Sequence, residues 1–261
     1  TGHRALVHRV LHEPILGGAS WAYVFGSLLL FLFVLQGATG VVLATSYAPT
    51  TAAAWASVAY AQDQLTLGWL LRGLHSAGAS SLYAVLVLHL LQVTLYRAYR
   101  APREVNWLTG VALAALVGAF GLTGSLLPWD QRGYSATQVT LTLLGSVPLV
   151  GPALQSLAQG GPSPGNATLS RFYALHVLAL PLLSAALTLA HVALFRRHGV
   201  TPHPRRSRAE LLKQTTPFWP RQALYDLAAA SLLFVVLLGW VIGRHGADLG
   251  APADPSGPHP P

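Results

Sequence analysis

Apolar residues gather into five long, nearly uninterrupted runs, and the polar and charged positions collect in the connections between them. The runs predict helices at about 22–45, 75–96, 107–127, 172–195 and 224–243, each close to the ~20 residues that cross a bilayer core. Backbone groups in lipid must bond within their own segment, so a helix is the expected form of each. The 128–170 connection is long and rich in Gly, Pro and apolar residues. Its patches Gln138–Leu144 and Val147–Leu157 predict short helices along the membrane surface, and a similar surface helix is expected around His8–Leu16. A basic, proline-punctuated stretch from Arg196 to Arg221 separates the first four runs from the fifth, and the Gly/Pro-rich tail after Gly246 is expected to be irregular. The expected fold is therefore all-α and integral to a membrane: a four-helix bundle plus a fifth transmembrane helix. It divides into 1–200, a linker at 201–220, and 221–261.

Composition agrees. Charged residues make up 9% of the chain and hydrophobic ones 52%, with a mean hydropathy of +0.48. The net charge of +8 raises the question of nucleic acid, but the cations sort by connection instead of forming a binding face. With the N-terminus in the cytoplasm, inside segments carry 12 Lys and Arg residues and outside segments keep 4, namely Arg72, Arg132, Arg171 and Arg244. That is the positive-inside asymmetry of a cytoplasmic-membrane protein whose C-terminus lies outside, and no nucleic-acid partner is expected. The first apolar run begins after about twenty residues and is long enough to span, so it does not read as a removable signal peptide. No cysteine is present, which removes disulfides, thiolate ligands, iron–sulfur clusters and thioether-linked haem from this chain.

Four histidines interrupt the apolar runs. Thirteen residues separate His75 from His89, and fourteen separate His176 from His191. A helix rises ~1.5 Å and turns ~100° per residue, so fourteen steps return to nearly the same face about 21 Å further along, and fifteen overshoot modestly. Two such helices facing each other would hold two metal centres, each between a pair of histidines, in the manner of a transmembrane electron wire with two non-covalent b-type haems. A single histidine in a bundle is explained as readily by an internal hydrogen bond. Four in near-duplicate spacing, where ionisable groups are costly, favour ligands. Zinc fits less well, because its ligands cluster at spacings of a few residues. The other histidines, His3, His8, His12, His198, His203, His245 and His259, fall outside the runs and are expected to be solvated.

Glycines mirror the histidines. Gly26 and Gly40 are fourteen apart on the first run, and Gly110 and Gly124 are fourteen apart on the third. Small residues also serve ordinary helix packing. The shared repeat points instead to clearance for a flat porphyrin, where only a residue without a side chain permits close backbone approach.

With these residues in view, the chain resembles the cytochrome b family of bc1 and b6f complexes over about residues 14–200. The strings that carry the resemblance are SWAYVFGSLLLFLFVLQGATG (20–40), GWLLRGLHSAGAS (68–80), PREVNWLTGV (102–111), FGLTGSLLPWDQRGY (120–134) and TLSRFYALHVLALPLL (168–183). Fourteen residues between His176 and His191 look like the b6f type, and the fifth run with PADP (252–255) resembles the start of a separate b6f partner subunit. The resemblance implies an outer haem on His75 and His176 and an inner haem on His89 and His191. It implies propionate contact from Arg72 and proximity of Arg171 to the outer haem. Pro128, Trp129 and the surface helices that follow match a wall of the quinol-oxidising pocket, where Asp130 is the acid this chain offers. Arg196 matches a basic residue beside the inner quinone site.

Three departures stand out. Gln92 replaces a propionate-binding arginine, Val24 stands where b6f relatives have a haem-anchoring cysteine, and the chain lacks the Pro-Glu-Trp-Tyr motif with its proton-accepting glutamate. The resemblance thus implies a subunit of a quinol:cytochrome c-type oxidoreductase whose quinol-oxidising site is incomplete alone. Its expected partners are quinone, a Rieske iron–sulfur subunit, a c-type cytochrome and a subunit-IV-like membrane protein supplying the glutamate, in a dimeric complex. An alternative keeps the haem wire but feeds a multihaem cytochrome without a Rieske centre. A transporter fits less well, because all eight acids fall in connections or at helix ends.

Overall fold

The computed structural model describes residues 11–255. Five helices are long and apolar enough to cross a membrane: α1 (Phe25–Ala44), α3 (Gly68–Leu95), α4 (Glu104–Leu126), α7 (Asn166–His198) and α9 (Arg221–Arg244). Short helices connect them: α2 (Ala54–Asp63), α5 (Gln131–Gly145), α6 (Gly151–Gln159) and α8 (Arg208–Lys213). Many large apolar side chains of the long helices face outward, among them Leu182, Leu189, Val235 and Trp240. A water-soluble bundle would bury such residues, whereas lipid accommodates them on the outside.

The structure moves several boundaries. α3 begins at Gly68 instead of near 75, taking Arg72 and two glycines into its first turns, and α7 begins at Asn166. The expected surface helices are present as α5 and α6 with wider limits. The expected N-terminal surface helix is corrected at its end. Residues 8–10 lie outside the described residues, and Pro14–Ile15 forms a two-residue strand (β1) paired antiparallel with Thr216–Pro217 (β2). Proline at both strand ends limits this pairing to a clasp.

The residues gather into two compact units, each drawn from several helices. One comprises stretches ending at Leu35 together with Gly78–Ala114 and Ala185–Trp240. In it Phe31 of α1 meets Phe234 of α9 edge-on at 6.2 Å, Trp21 stacks on Tyr225 at 4.7 Å, and the Gln222 side chain accepts from the Ser20 N–H at 2.9 Å. These contacts fasten the start of α9 to the start of α1.

The other unit comprises Gln36–Ala77, Ala115–Ser184 and the chain from Val241 onward. Its core is Ala54, Leu126, Trp129, Tyr134, Leu141, Leu169 and Phe172, so the surface helices pack on the ends of α4 and α7. Gly73 is buried against α9: a Cβ there would lie 2.4 Å from Val241 Cγ1, so only glycine lets α9 approach α3 so closely. Ring stacking of Trp69 on His245 at 4.6 Å adds to that contact. His245 is exposed, as expected, while stacking on Trp69, and His203 is half-buried with its ring edge-on to Tyr96 at 5.3 Å. His3, His8 and His259 lie outside the described residues.

Candidate metal centres

His75 of α3 and His176 of α7 bring their rings together with centroids 6.4 Å apart and planes at 70°. Two metal–nitrogen bonds of about 2 Å, with each ring centroid about 1.2 Å behind its nitrogen, give roughly 6–6.5 Å for imidazoles on opposite sides of one ion. The observed separation fits that arrangement. On each side a neighbouring helix contributes a threonine and a glycine. Thr39 Oγ1 lies 2.9 Å from His75 Nδ1, and Thr123 Oγ1 lies 3.0 Å from His176 Nδ1. A Cβ on Gly40 would come within 3.2 Å of His75 Cε1, and one on Gly124 within 2.6 Å of His176 Cε1. Phe120 closes the His176 ring edge-on at 5.4 Å.

The second pair lies in the other unit. His191 of α7 repeats the pattern, with Thr109 Oγ1 at 2.9 Å from Nδ1 and Gly110 placed so that a Cβ would reach 3.2 Å from Cε1. His89 of α3 departs from it. Its Nδ1 is buried without a hydrogen-bond partner, and a Cβ on Gly26 would rest in ordinary contact at 4.0 Å. The neighbours the glycines face are thus the imidazoles themselves, which is a finer account than porphyrin clearance alone. Among the described residues no group of three or more His, Asp or Glu side chains converges, so each centre has two protein ligands to offer.

One segment reconciles the unequal spacings. Leu175–Ala179 is a π turn, with the Leu180 N–H donating to Leu175 C=O. A π turn accommodates one extra residue within a helix and is frequent at functional sites. The fifteen steps from His176 to His191 therefore advance the helix much as the fourteen from His75 to His89 do. Pro181 supplies a physical reason for its position. Proline lacks the N–H that would bond to Val177 and crowds that carbonyl, and a widened turn relieves both.

The remaining sequence candidates are spread over both units. Arg72 is turned toward the tail that follows α9: Nη1 donates to Ala247 C=O at 2.6 Å and to the Gln62 side chain, and Nη2 donates to Asp248 C=O at 2.8 Å. Arg171 donates to Leu157 C=O at the end of α6. After Pro128, Trp129 takes a left-handed backbone (φ 50°) although it is 4% exposed, a conformation costing about 1–2 kcal/mol for a non-glycine residue. Its ring is held edge-on to Tyr134 at 5.6 Å. Asp130 caps α5: Oδ1 accepts from Gly133 N–H at 2.8 Å and Oδ2 from Gly250 N–H at 3.1 Å. Ala253 N–H donates to Trp129 C=O and Gln131 N–H to Ala251 C=O, so the tail is laid along this turn. Nearby, the Tyr47 hydroxyl donates to Leu127 C=O at 2.7 Å, and burial, with Tyr173 beside it, pushes its pKa above the ordinary value. In the other unit Arg196 pairs with Glu13 at 2.5 Å and lies over the Phe218 ring at 5.3 Å.

Comparison with known proteins decides what these centres belong to. The family model described as Cytochrome b/b6/petB matches residues 12–199. The chain belongs to the cytochrome b/b6 family. Cytochrome b6 of Synechococcus sp. (strain JA-3-3Ab) is 42% identical over 179 residues, covering 69% of this chain and 83% of its own. Cytochrome b of Rhodobacter capsulatus is 36% identical over 241 residues, covering 90% of this chain and 54% of its own. A solved chain of a hyperthermophilic respiratory complex III superposes with a TM-score of 0.84 at 28% identity, covering 98% of this chain and 69% of that one. With five apolar helices and this family, the chain is an integral membrane protein.

Sequence reasoning did not single out three residues of this cytochrome b/b6 chain that touch the histidines: Thr39, Thr109 and Thr123. The signal was in the sequence as a repeated Thr-Gly dipeptide at 39–40, 109–110 and 123–124, with Phe-Gly at 25–26. The π turn was likewise foreshadowed by Pro181 and by the extra residue between His176 and His191.

Proposed function

We propose that this chain is the dihaem subunit of a quinol:cytochrome c-type oxidoreductase, with one haem b between His75 and His176 and another between His89 and His191. The observation that carries the reading is the opposed imidazole pair at 6.4 Å, a separation suited to two axial ligands of one iron. Haem b, when bound, supplies reversible one-electron transfer. The chain's own part is positional. Four histidines on α3 and α7 would hold the two haems, and Gly26, Gly40, Gly110 and Gly124 let α1 and α4 come up to the rings. Arg72, one turn before His75, has the fork geometry to grip a propionate but would have to give up its bonds to the Ala247 and Asp248 carbonyls to do so, and Arg171 is its counterpart on α7.

Quinol oxidation belongs at Pro128, Trp129 and α5, outside the cytoplasm, and quinone reduction belongs near Arg196 at the inner face. In this reading Asp130 is a cap and not the proton acceptor, because both of its oxygens already accept backbone N–H bonds. A base must stand within hydrogen-bond reach of the departing proton, so a group other than Asp130 is expected to accept it. A Rieske subunit and a c-type cytochrome complete the expected dimeric assembly in a bacterial cytoplasmic membrane. The 12-to-4 distribution of Lys and Arg supports a cytoplasmic N-terminus and 196–221 linker.

The test is purification with partner subunits, followed by pyridine haemochrome analysis. Two extractable b haems with low-spin bis-imidazole spectra are expected, and His89→Leu should remove one of them. Covalently retained haem, or no haem b, overturns the reading. Protease added to sealed right-side-out vesicles should spare the 196–221 linker, and cleavage there before lysis reverses the orientation.

A further inference from the structure

α4 and α7 meet twice on one face, and the second meeting leaves a cation partly unsatisfied. Arg103 stands immediately before α4, where its C=O accepts the Trp107 N–H at 2.9 Å, and its Nη2 donates to His198 C=O at the end of α7, also at 2.9 Å. Gly110 lies seven residues further along α4 and faces the ring of His191, which itself lies seven residues before His198. Seven steps fall about 20° short of two whole turns and cover about 10 Å, so Arg103 and Gly110 share a face, as do His198 and His191. One rung meets an imidazole and the other holds a guanidinium.

The bond to His198 uses one of the five N–H groups of Arg103 and fixes where the guanidinium sits. Its Nε is buried without a hydrogen-bond partner, and among the described residues Arg103 is the one arginine with such a donor. A guanidinium keeps its charge in a protein, and a charged donor enclosed without an acceptor is unfavourable until one arrives. Other groups near this end of the bundle are differently placed. Gln92, one turn past His89, is neutral, Arg97 and Arg100 are exposed, and Arg196 is already paired with Glu13.

Resting on the dihaem reading above, we infer that Arg103 binds a haem propionate of the His89–His191 centre through Nε, the place for it being made by the two rungs that α4 and α7 share. The ligand group is a carboxylate on the rim of a porphyrin whose iron lies at the His191 rung. Bonds from an arginine to a carboxylate are charge-assisted, shorter and stronger than neutral ones. Such a cation favours the ionised carboxylate, and it favours the reduced iron, which carries one positive charge fewer. Arg103 thereby occupies on α4 the role that the resemblance gives to position 92 of α3.

Optical redox titration over a range of pH, with haem counting, on the complex purified with its partners provides the test. Arg103→Gln should lower the reduced-to-oxidised ratio of the His89–His191 haem at fixed ambient potential by about tenfold, 59 mV for a one-electron couple, and leave the other haem unmoved. The pH at which that haem's potential begins to fall should move upward, because the propionate loses its cation. Arg103→Lys should restore both readouts, and so should Gln92→Arg combined with Arg103→Gln, whereas Arg100→Gln should change neither. Where Arg103→Gln alone does not assemble, the Gln92→Arg double variant should assemble with two haems, and its failure overturns the inference. Unmoved potentials, equal shifts at both haems, or the same shift from Arg100→Gln also overturn it and leave the dihaem reading intact. Haem content other than two in the unaltered protein overturns the reading beneath it.

Discussion

The two histidine-bearing helices reach the same result by different geometry. α3 runs without interruption from Gly68 to Leu95, and fourteen steps carry His75 to His89. α7 takes fifteen steps from His176 to His191, and His176 itself lies within the π turn Leu175–Ala179. At ~100° per residue an ideal helix would leave the two arrangements about one residue out of phase. The difference teaches that a ligand pair is held by its helical face, and that spacing in sequence is free to vary where a local bulge absorbs the change. It also places tolerance on α7 and intolerance on α3.

Single-residue deletions should break that symmetry with the largest effect. Deleting Val85 from α3 turns His89 by ~100° and draws it ~1.5 Å along the axis relative to His75, so one haem should be lost. Deleting Val177 removes the residue that the π turn houses, and an ordinary α-helix should then present His176 and His191 with both haems retained. Pyridine haemochrome counts on the two purified complexes provide the measurement. Equal loss from both deletions would show that the π turn does not absorb register.

Next in size is a pair of glycine substitutions. Gly124→Ala drives a Cβ to 2.6 Å from His176 Cε1 and 3.2 Å from its Nδ1, so the ring or the backbone must shift. Loss of most of the His75–His176 haem absorbance is expected. Gly26→Ala meets His89 at 4.0 Å and gains up to about 1 kcal/mol of helix propensity, so its spectrum should match the parent. An intact spectrum of the His75–His176 centre in Gly124→Ala would mean that α4 has freedom to retreat.

Much of this was legible in the chain. The five spans follow from apolar runs whose length matches a bilayer, and the four histidines of the candidate centres stand out as polar groups inside those runs. What escaped was governed by contact and not by pattern. The start of α3 was obscured by Gly68, Arg72 and Gly73, of which Gly73 serves α9 packing and Arg72 serves the tail. Helix α2 is short, but the alanines of AWASVAYAQD are strong helix formers and gave a usable signal. The threonine hydroxyls meet the histidine rings across helices, between residues 36, 53 and 82 positions apart, which no local window reports. The tail looked irregular from its Gly and Pro content, yet its backbone bonds to the Trp129–Gln131 turn.

That tail contact leads to a third expectation. Asp130→Ala removes a helix cap and an acceptor for the Gly250 N–H together, at a cost of about 1–2 kcal/mol. Hydrogen exchange at Gly133 and Gly250 should accelerate, with both haem spectra unchanged. Asp130→Asn keeps a side-chain oxygen for the cap and should recover most of the protection at Gly133. Altered haem absorbance in either variant would instead place Asp130 within reach of the His75–His176 centre.

The smallest effect is expected at the corresponding clasp of the other unit. Glu13 pairs with Arg196 through one oxygen, with the side chains 18% and 31% exposed, and the other oxygen, Oε1, is buried without a hydrogen-bond partner. Partial exposure screens the pair, so Coulomb attraction contributes about 1 kcal/mol or less. The unpaired oxygen offsets some of that gain, because a buried acceptor without a donor is itself costly. Glu13→Gln keeps an oxygen for Arg196 and turns the other position into a donor, so the net change in unfolding free energy should be under about 1 kcal/mol. The β1–β2 pairing and the Phe218 N–H bond to Glu13 C=O involve only backbone and should persist. Thermal unfolding of the purified complex at low and high salt provides the measurement. A larger loss that disappears at high salt would assign the clasp to the ion pair, and a larger loss indifferent to salt would assign it to the packing of Arg196 on Phe218.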